Sequence, residues 1–69
     1  MMKYEVIIFW SEDDGAFIAE VPELPGCSAH GASHSDALKE AEAAAGLWIE
    51  VARERGREIP VPRGRLRYA

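Results

Sequence analysis

Two prolines and two glycines fall within ten residues of this 69-residue chain, in the run Val21-Pro22-Glu23-Leu24-Pro25-Gly26-Cys27-Ser28-Ala29-His30-Gly31. Proline fixes its own φ and offers no amide proton, while glycine opens backbone conformations that other residues avoid. Such a run cannot continue a helix or a central strand. Its first part, Pro22 to Gly26, is a rigid connection, and regular elements must stop before it and restart after it. Pro22 ends ladder pairing on its N-terminal side.

The segments on either side read as strands by their two-residue period. In residues 3–10, Tyr4, Val6, Ile8 and Trp10 share one face, and Glu5, Ile7 and Phe9 share the other. The first face is wholly apolar and is expected to meet a helix. The second is more apolar than a solvated face needs, which points to a contact between subunits. Ser11-Glu12-Asp13-Asp14-Gly15 reads as a tight reversal. Residues 16–21 then return as the second arm of a hairpin, with Phe17, Ala19 and Val21 on one side. A short third strand is expected from Cys27 to Gly31.

Helix signals follow. Ser33 is a capping residue, with Asp36 in the acidic position of a capping box. The helix is expected to run from Ser35 to Arg55, and Gly56 to reverse the chain. Leu38, Ala41, Ala45, Trp48 and Ala52 form a stripe at three- and four-residue spacing, widened by Ala37, Ala44, Ile49 and Val51. Residues 57–62, with Pro60 and Pro62, form a stiff connector. Beyond it Leu66 and Tyr68 alternate with Arg63, Arg65 and Arg67, the pattern of a short last strand or of an arm that orders on a partner. The expected fold class is α+β: one small domain over residues 1–69, a small antiparallel sheet of three or four strands with one long helix on one face, in the order β-β-β-α and then a possible β.

A chain of this length buries only roughly 60% of its unfolded surface. With a single cysteine it has no internal disulfide. Association with further copies, as a dimer or tetramer, is the expected support for so thin a core. No run is apolar enough to span a bilayer, no signal peptide is evident, and the unpaired Cys27 suits a reducing compartment, so a cytoplasmic location is expected. The net charge of −4 is unevenly spread: residues 1–50 carry −8 and residues 51–69 carry +4. An acidic body disfavours free nucleic acid as principal partner and suits a basic protein.

Few residues support catalysis or metal binding. A two-metal nuclease needs several converging carboxylates. The strand-borne ones are only Glu5 and Glu20, while Glu12, Asp13 and Asp14 occupy a turn. Cys27, His30 and His34 have ligand-type spacing, but residues three apart on a strand point to opposite faces. No catalytic residue, metal ligand or cofactor is assigned. Two surfaces are candidates for a partner. The proline-bounded loop could present Glu23 and Leu24 with little ordering cost, Glu23 to a basic group and Leu24 as an apolar anchor. Arg63, Arg65 and Arg67 could meet an acidic neighbouring subunit, guard a sheet edge or, less favoured because stacking aromatics are sparse, contact phosphate.

The chain resembles the HicB-like antitoxin family. The likeness is carried by Tyr4-Glu5-Val6-Ile7-Ile8, Glu12-Asp13-Asp14-Gly15-Ala16-Phe17, Pro22-Glu23-Leu24-Pro25-Gly26-Cys27, Gly31-Ala32-Ser33-His34-Ser35-Asp36-Ala37-Leu38 and Ile59-Pro60-Val61-Pro62. It covers about residues 3–62. The resemblance implies a partial ribonuclease-H-like sheet with a helix. It also implies a non-catalytic protein that covers a small basic mRNA-cleaving toxin of double-stranded-RNA-binding fold. Many such proteins add a C-terminal DNA-binding segment, whereas Arg63 to Ala69 is too short for one, so a solitary domain is expected. The alternatives are a standalone homo-oligomeric binding or scaffold module and, disfavoured by its carboxylates, a hydrolytic enzyme.

Overall fold

A computed structural model describes residues 3–63. Three strands, β1 (Ile7–Ser11), β2 (Ala16–Glu20) and β3 (Ser28–Gly31), precede one helix, α1 (His34–Glu54). The sheet is antiparallel throughout, in the order β1-β2-β3. The hairpin closes through Ser11. Its carbonyl accepts from Gly15 N at 2.9 Å, and its hydroxyl both donates to Asp14 Oδ2 and accepts from Asp14 N. Gly15 has φ +60°, which an L side chain resists. Register then pairs Phe9 with Ile18 and Trp10 with Phe17. Ile18 pairs in turn with His30, and Ala19 with Ala29.

The helix begins as its cap dictates. Ser33 is extended and its hydroxyl accepts from Asp36 N at 3.1 Å. It ends in a Schellman arrangement around Gly56, whose φ is +67°. Gly56 N donates to Arg53 O and Arg57 N to Ala52 O.

One face of the sheet packs on the helix across a seam of small side chains. Ala37, Ala41, Ala45 and Ala52 are buried on the helix, and Ala19, Val21, Leu24 and Cys27 on the sheet and its loop. Leu24 and Val21 are the largest fully buried side chains among the described residues. Tyr4, Val6, Ile8, Phe17, Ala29, Ala44 and Trp48 close around this centre, partly buried. Several larger apolar groups are outside: Ile7, Phe9, Trp10, Leu38, Leu47 and Val61 are all exposed.

The structure corrects the expected pattern in three places. The first strand begins at Ile7 rather than residue 3, although Tyr4 and Val6 still pack on the core. Trp10 was expected to be covered by the helix, but it is 48% exposed and lies edge-on to Phe17 at 5.1 Å between ring centres. It sits at the far end of β1, beside the hairpin turn. Leu38 was placed in the helix's buried stripe, yet it is exposed and the neighbouring Ala37 is buried. Helix and strand approach too closely at this end for a leucine. Residues 57–63 form no strand, as expected of a connector, and the possible last strand, with Leu66 and Tyr68 alternating with Arg65 and Arg67, lies outside the described residues.

Candidate functional site

The proline-rich run folds as two turns in tandem. Leu24 N donates to Val21 O at 3.0 Å across Pro22 and Glu23, and Cys27 N donates to Leu24 O at 2.9 Å across Pro25 and Gly26. Proline occupies the second position of each turn, as its fixed φ favours. Gly26 has φ +79°, the value the third position of a type II turn requires. Val21 N then donates to Cys27 O at 3.0 Å and seals the loop at its base. Trp48 on α1 donates its indole N–H to Pro25 O at 2.9 Å, so the helix holds the loop's tip.

This geometry assigns Glu23 and Leu24 roles other than the expected ones. Leu24 is 0% exposed. Between two turns its side chain can only fold inward, so it is a core residue and not an anchor offered to a partner. Glu23 is half-buried and engaged within the chain: Oε1 accepts from Glu5 N at 3.2 Å and Oε2 from Arg63 N at 2.8 Å. Tyr4 strengthens the same junction by donating its hydroxyl to Pro60 O. Glu23 therefore clamps the connector against the start of the sheet. Glu23→Ala should lower unfolding free energy by about 1 kcal/mol, since both bonds are partly solvated. It should also speed tryptic cleavage near Arg57 and Arg63. Glu23→Gln, with a single side-chain acceptor, should recover part of the loss. Urea unfolding and timed proteolysis would check this.

Arg63 lies exposed at the edge of the clamp, and Arg65 and Arg67 lie outside the described residues. The remaining candidates are dispersed. Cys27 is buried, and burial pushes its thiol up from the ordinary value, which leaves it protonated and a poor nucleophile at neutral pH. His30 is exposed on the outer sheet face, whereas the His34 ring stacks at 41° on Phe17, 4.2 Å between centres. Among the described residues no three histidine, cysteine or acidic groups gather as metal ligands. Glu20 points outward on β2, and a buried oxygen of Glu5 has no hydrogen-bond partner among the described residues.

A feature not singled out from the sequence is the solvent face of α1. Asp36, Glu40, Leu47, Glu50 and Glu54 are all exposed. At about 100° per residue they fall within about 80° of arc. Leu47, 62% exposed, sits between carboxylates at both ends of the helix, with Lys39 and Arg53 at its flank. A groove of about 310 Å³ adjoins Leu47 and is lined by Gly26, Cys27, Trp48, Val51 and Arg57. The same three- and four-residue spacing that places the alanines inside puts these carboxylates on the opposite face.

A family model described as a HicB-like antitoxin of bacterial toxin-antitoxin systems matches residues 4–66. The chain belongs to the HicB-like antitoxin family. The UPF0150 protein ssl0259 of Synechocystis is 34% identical to this HicB-like chain over 59 residues, spanning 86% of it and 80% of the relative. The UPF0150 protein Ta0767 of Thermoplasma acidophilum is 37% identical over 59 residues, spanning 86% and 84%. No solved structure gives a significant match. The antitoxin family points to a non-catalytic role and, in general, to a toxin as partner. No helix among the described residues of this HicB-like protein is long and apolar enough to cross a membrane.

Proposed function

We propose that the chain is a non-catalytic inhibitor that binds a small basic mRNA-cleaving toxin and occludes its RNA-binding surface. The observation that carries this reading is the acidic face of α1, in a chain whose family is one of antitoxins. An RNA-binding toxin must present cationic groups that accept a row of phosphates. Asp36, Glu40, Glu50 and Glu54 offer carboxylates of the same sign along one line. Leu47 and the groove beside Trp48 supply the apolar centre that a stable interface needs, with charge at its rim. Catalysis is not required of the inhibitor, because covering the groove excludes the substrate.

The test is titration of the purified chain into an RNA-cleavage assay of a small basic toxin of double-stranded-RNA-binding fold. Cleavage should fall to background near equimolar inhibitor. Leu47→Glu combined with Glu50→Lys should weaken inhibition at least about tenfold, with the circular dichroism melt unchanged because both side chains are exposed. Cleavage that continues with inhibitor in large excess would overturn the proposal. Inhibition untouched by the double change would remove α1 as its surface.

A further inference from the structure

The groove beside Leu47 has one charged residue among those that line it, and its sign is opposite to the carboxylates along α1. Cys27 and Ala52 are buried at the floor, and Leu47, Trp48 and Val51 rise around them. The indole N–H of Trp48 is bound to Pro25 O, so the ring is fixed and offers a guest only its apolar surface. Arg57, where the chain leaves α1, is the charged residue. Its backbone is set by the Schellman bond from Arg57 N to Ala52 O at 2.8 Å. Its side chain is exposed, and the guanidinium takes part in none of the side-chain hydrogen bonds among the described residues. Glu54, Arg55 and Glu58 are exposed close by in sequence, but none of them lines the groove.

Arg57 is misplaced if attraction between opposite net charges is all that recruits the partner. A uniformly basic surface laid on α1 is drawn by Asp36, Glu40, Glu50 and Glu54 and repelled by Arg57 at the apolar groove, where water is most thoroughly excluded. A carboxylate on the partner at that point reverses the sign. The planar guanidinium then binds it through two parallel hydrogen bonds, a geometry that lysine cannot supply.

We propose that the toxin seats one apolar side chain in this groove, with an aspartate or glutamate beside it that pairs with Arg57. The groove, about 310 Å³, has room for a single large apolar side chain. This pairing rests on the toxin-binding reading and adds to it a means of choosing among partners. The acidic line attracts any cationic RNA-binding protein. Arg57 rejects those that bring a further cation to the groove and accepts one that brings an acid, so specificity comes from a repulsive element as well as an attractive one.

The test is the sign of a charge reversal in the RNA-cleavage assay. Arg57→Glu makes an acidic chain more acidic, so attraction by net charge alone would leave inhibition of a basic toxin unchanged or tighten it. The pairing gives the opposite result, inhibition at least about tenfold weaker. Arg55→Glu makes the same change in charge two residues away, outside the groove, and should not weaken inhibition. Arg57→Lys should weaken it by less than Arg57→Glu, because the charge is kept and the two-bonded geometry lost. Among toxin variants in which each exposed acidic residue is changed to lysine in turn, one should restore inhibition by the Arg57→Glu chain. Inhibition by Arg57→Glu as tight as that of the unchanged chain overturns the pairing and leaves the proposed function standing. So does equal weakening by Arg55→Glu, or a set of toxin variants none of which restores inhibition. An unchanged chain that does not inhibit at all overturns the proposed function, and the pairing with it.

Discussion

Gly31→Ala should leave the protein largely unfolded near room temperature or lower its melting temperature by more than about 12 °C. A Cβ at this position would lie 2.4 Å from Ala37 N, 2.7 Å from Asp36 C and 2.9 Å from Ala37 Cα. All three atoms are backbone in the first turn of α1, so no side chain can swing aside. That turn is fixed from within, because Ser33 caps it at Asp36 N and Ala37 N donates to Ser33 O at 2.9 Å. Relief requires β3 and the helix to separate, which opens the contact of Ala37 with the core. Overpacking costs about 1–3 kcal/mol when side chains can adjust, and more when backbone must move. A domain of this length has a total stability of about 3–10 kcal/mol. Thermal unfolding followed by circular dichroism decides the matter. A melt like that of the unchanged chain would show that helix and strand are free to part here.

Leu24→Ala should cost about 2–4 kcal/mol, whereas Leu24→Met should cost less than about 1.5 kcal/mol. Leu24 is one of the two largest fully buried side chains among the described residues, in a centre otherwise made of alanine, valine and cysteine. Removing it leaves a cavity that the prolines prevent the loop from closing. The turns on either side fix its backbone through Leu24 N and Leu24 O, so the chain cannot sink inward to fill the space. Urea unfolding of the two variants measures the difference. Wild-type stability for Leu24→Ala, together with weaker partner binding, would return Leu24 to the surface role its position in a polar loop first suggested.

That reversal shows where the sequence is legible and where it is not. Local chemistry read correctly. Ser33 caps the helix, Gly56 ends it, Gly15 turns the hairpin, and the proline-glycine pair makes a turn. Each of these depends on neighbours within a few residues. Depth did not read as well. Alternation assigns a face, not how far a side chain sits below the surface, and so it does not show that Trp10 is exposed. A helical stripe ranks leucine above alanine, yet the close approach at Gly31 admits only Ala37 and leaves Leu38 outside. Glu23 contacts residues 18 and 40 positions away, beyond the reach of any local pattern. Glu50 and Glu54 lie outward by helical spacing alone, whereas the alignment of Asp36, Glu40 and Leu47 with them on one exposed line rests on the burial of the opposite face. Family membership was legible because residues 22–27, with Gly31 and Ala37-Leu38 at their spacing, make a specific combination, and the family model spans residues 4–66.

The Glu23 carboxylate holds residue 5 on one oxygen and residue 63 on the other. The path of the chain from residue 5 to residue 63 is therefore a ring, closed without a covalent bond. A ring has no privileged starting point. A chain reordered to begin at Gly15 and finish at Asp14, with a short linker from residue 63 back to residue 3, would keep β1, β2, β3 and α1 intact. Its new ends would sit at the hairpin tip, the pole opposite the carboxylate. Cargo attached there, or at residue 63 in the natural order, would project from opposite ends of the molecule and leave the solvent face of the helix clear in both cases.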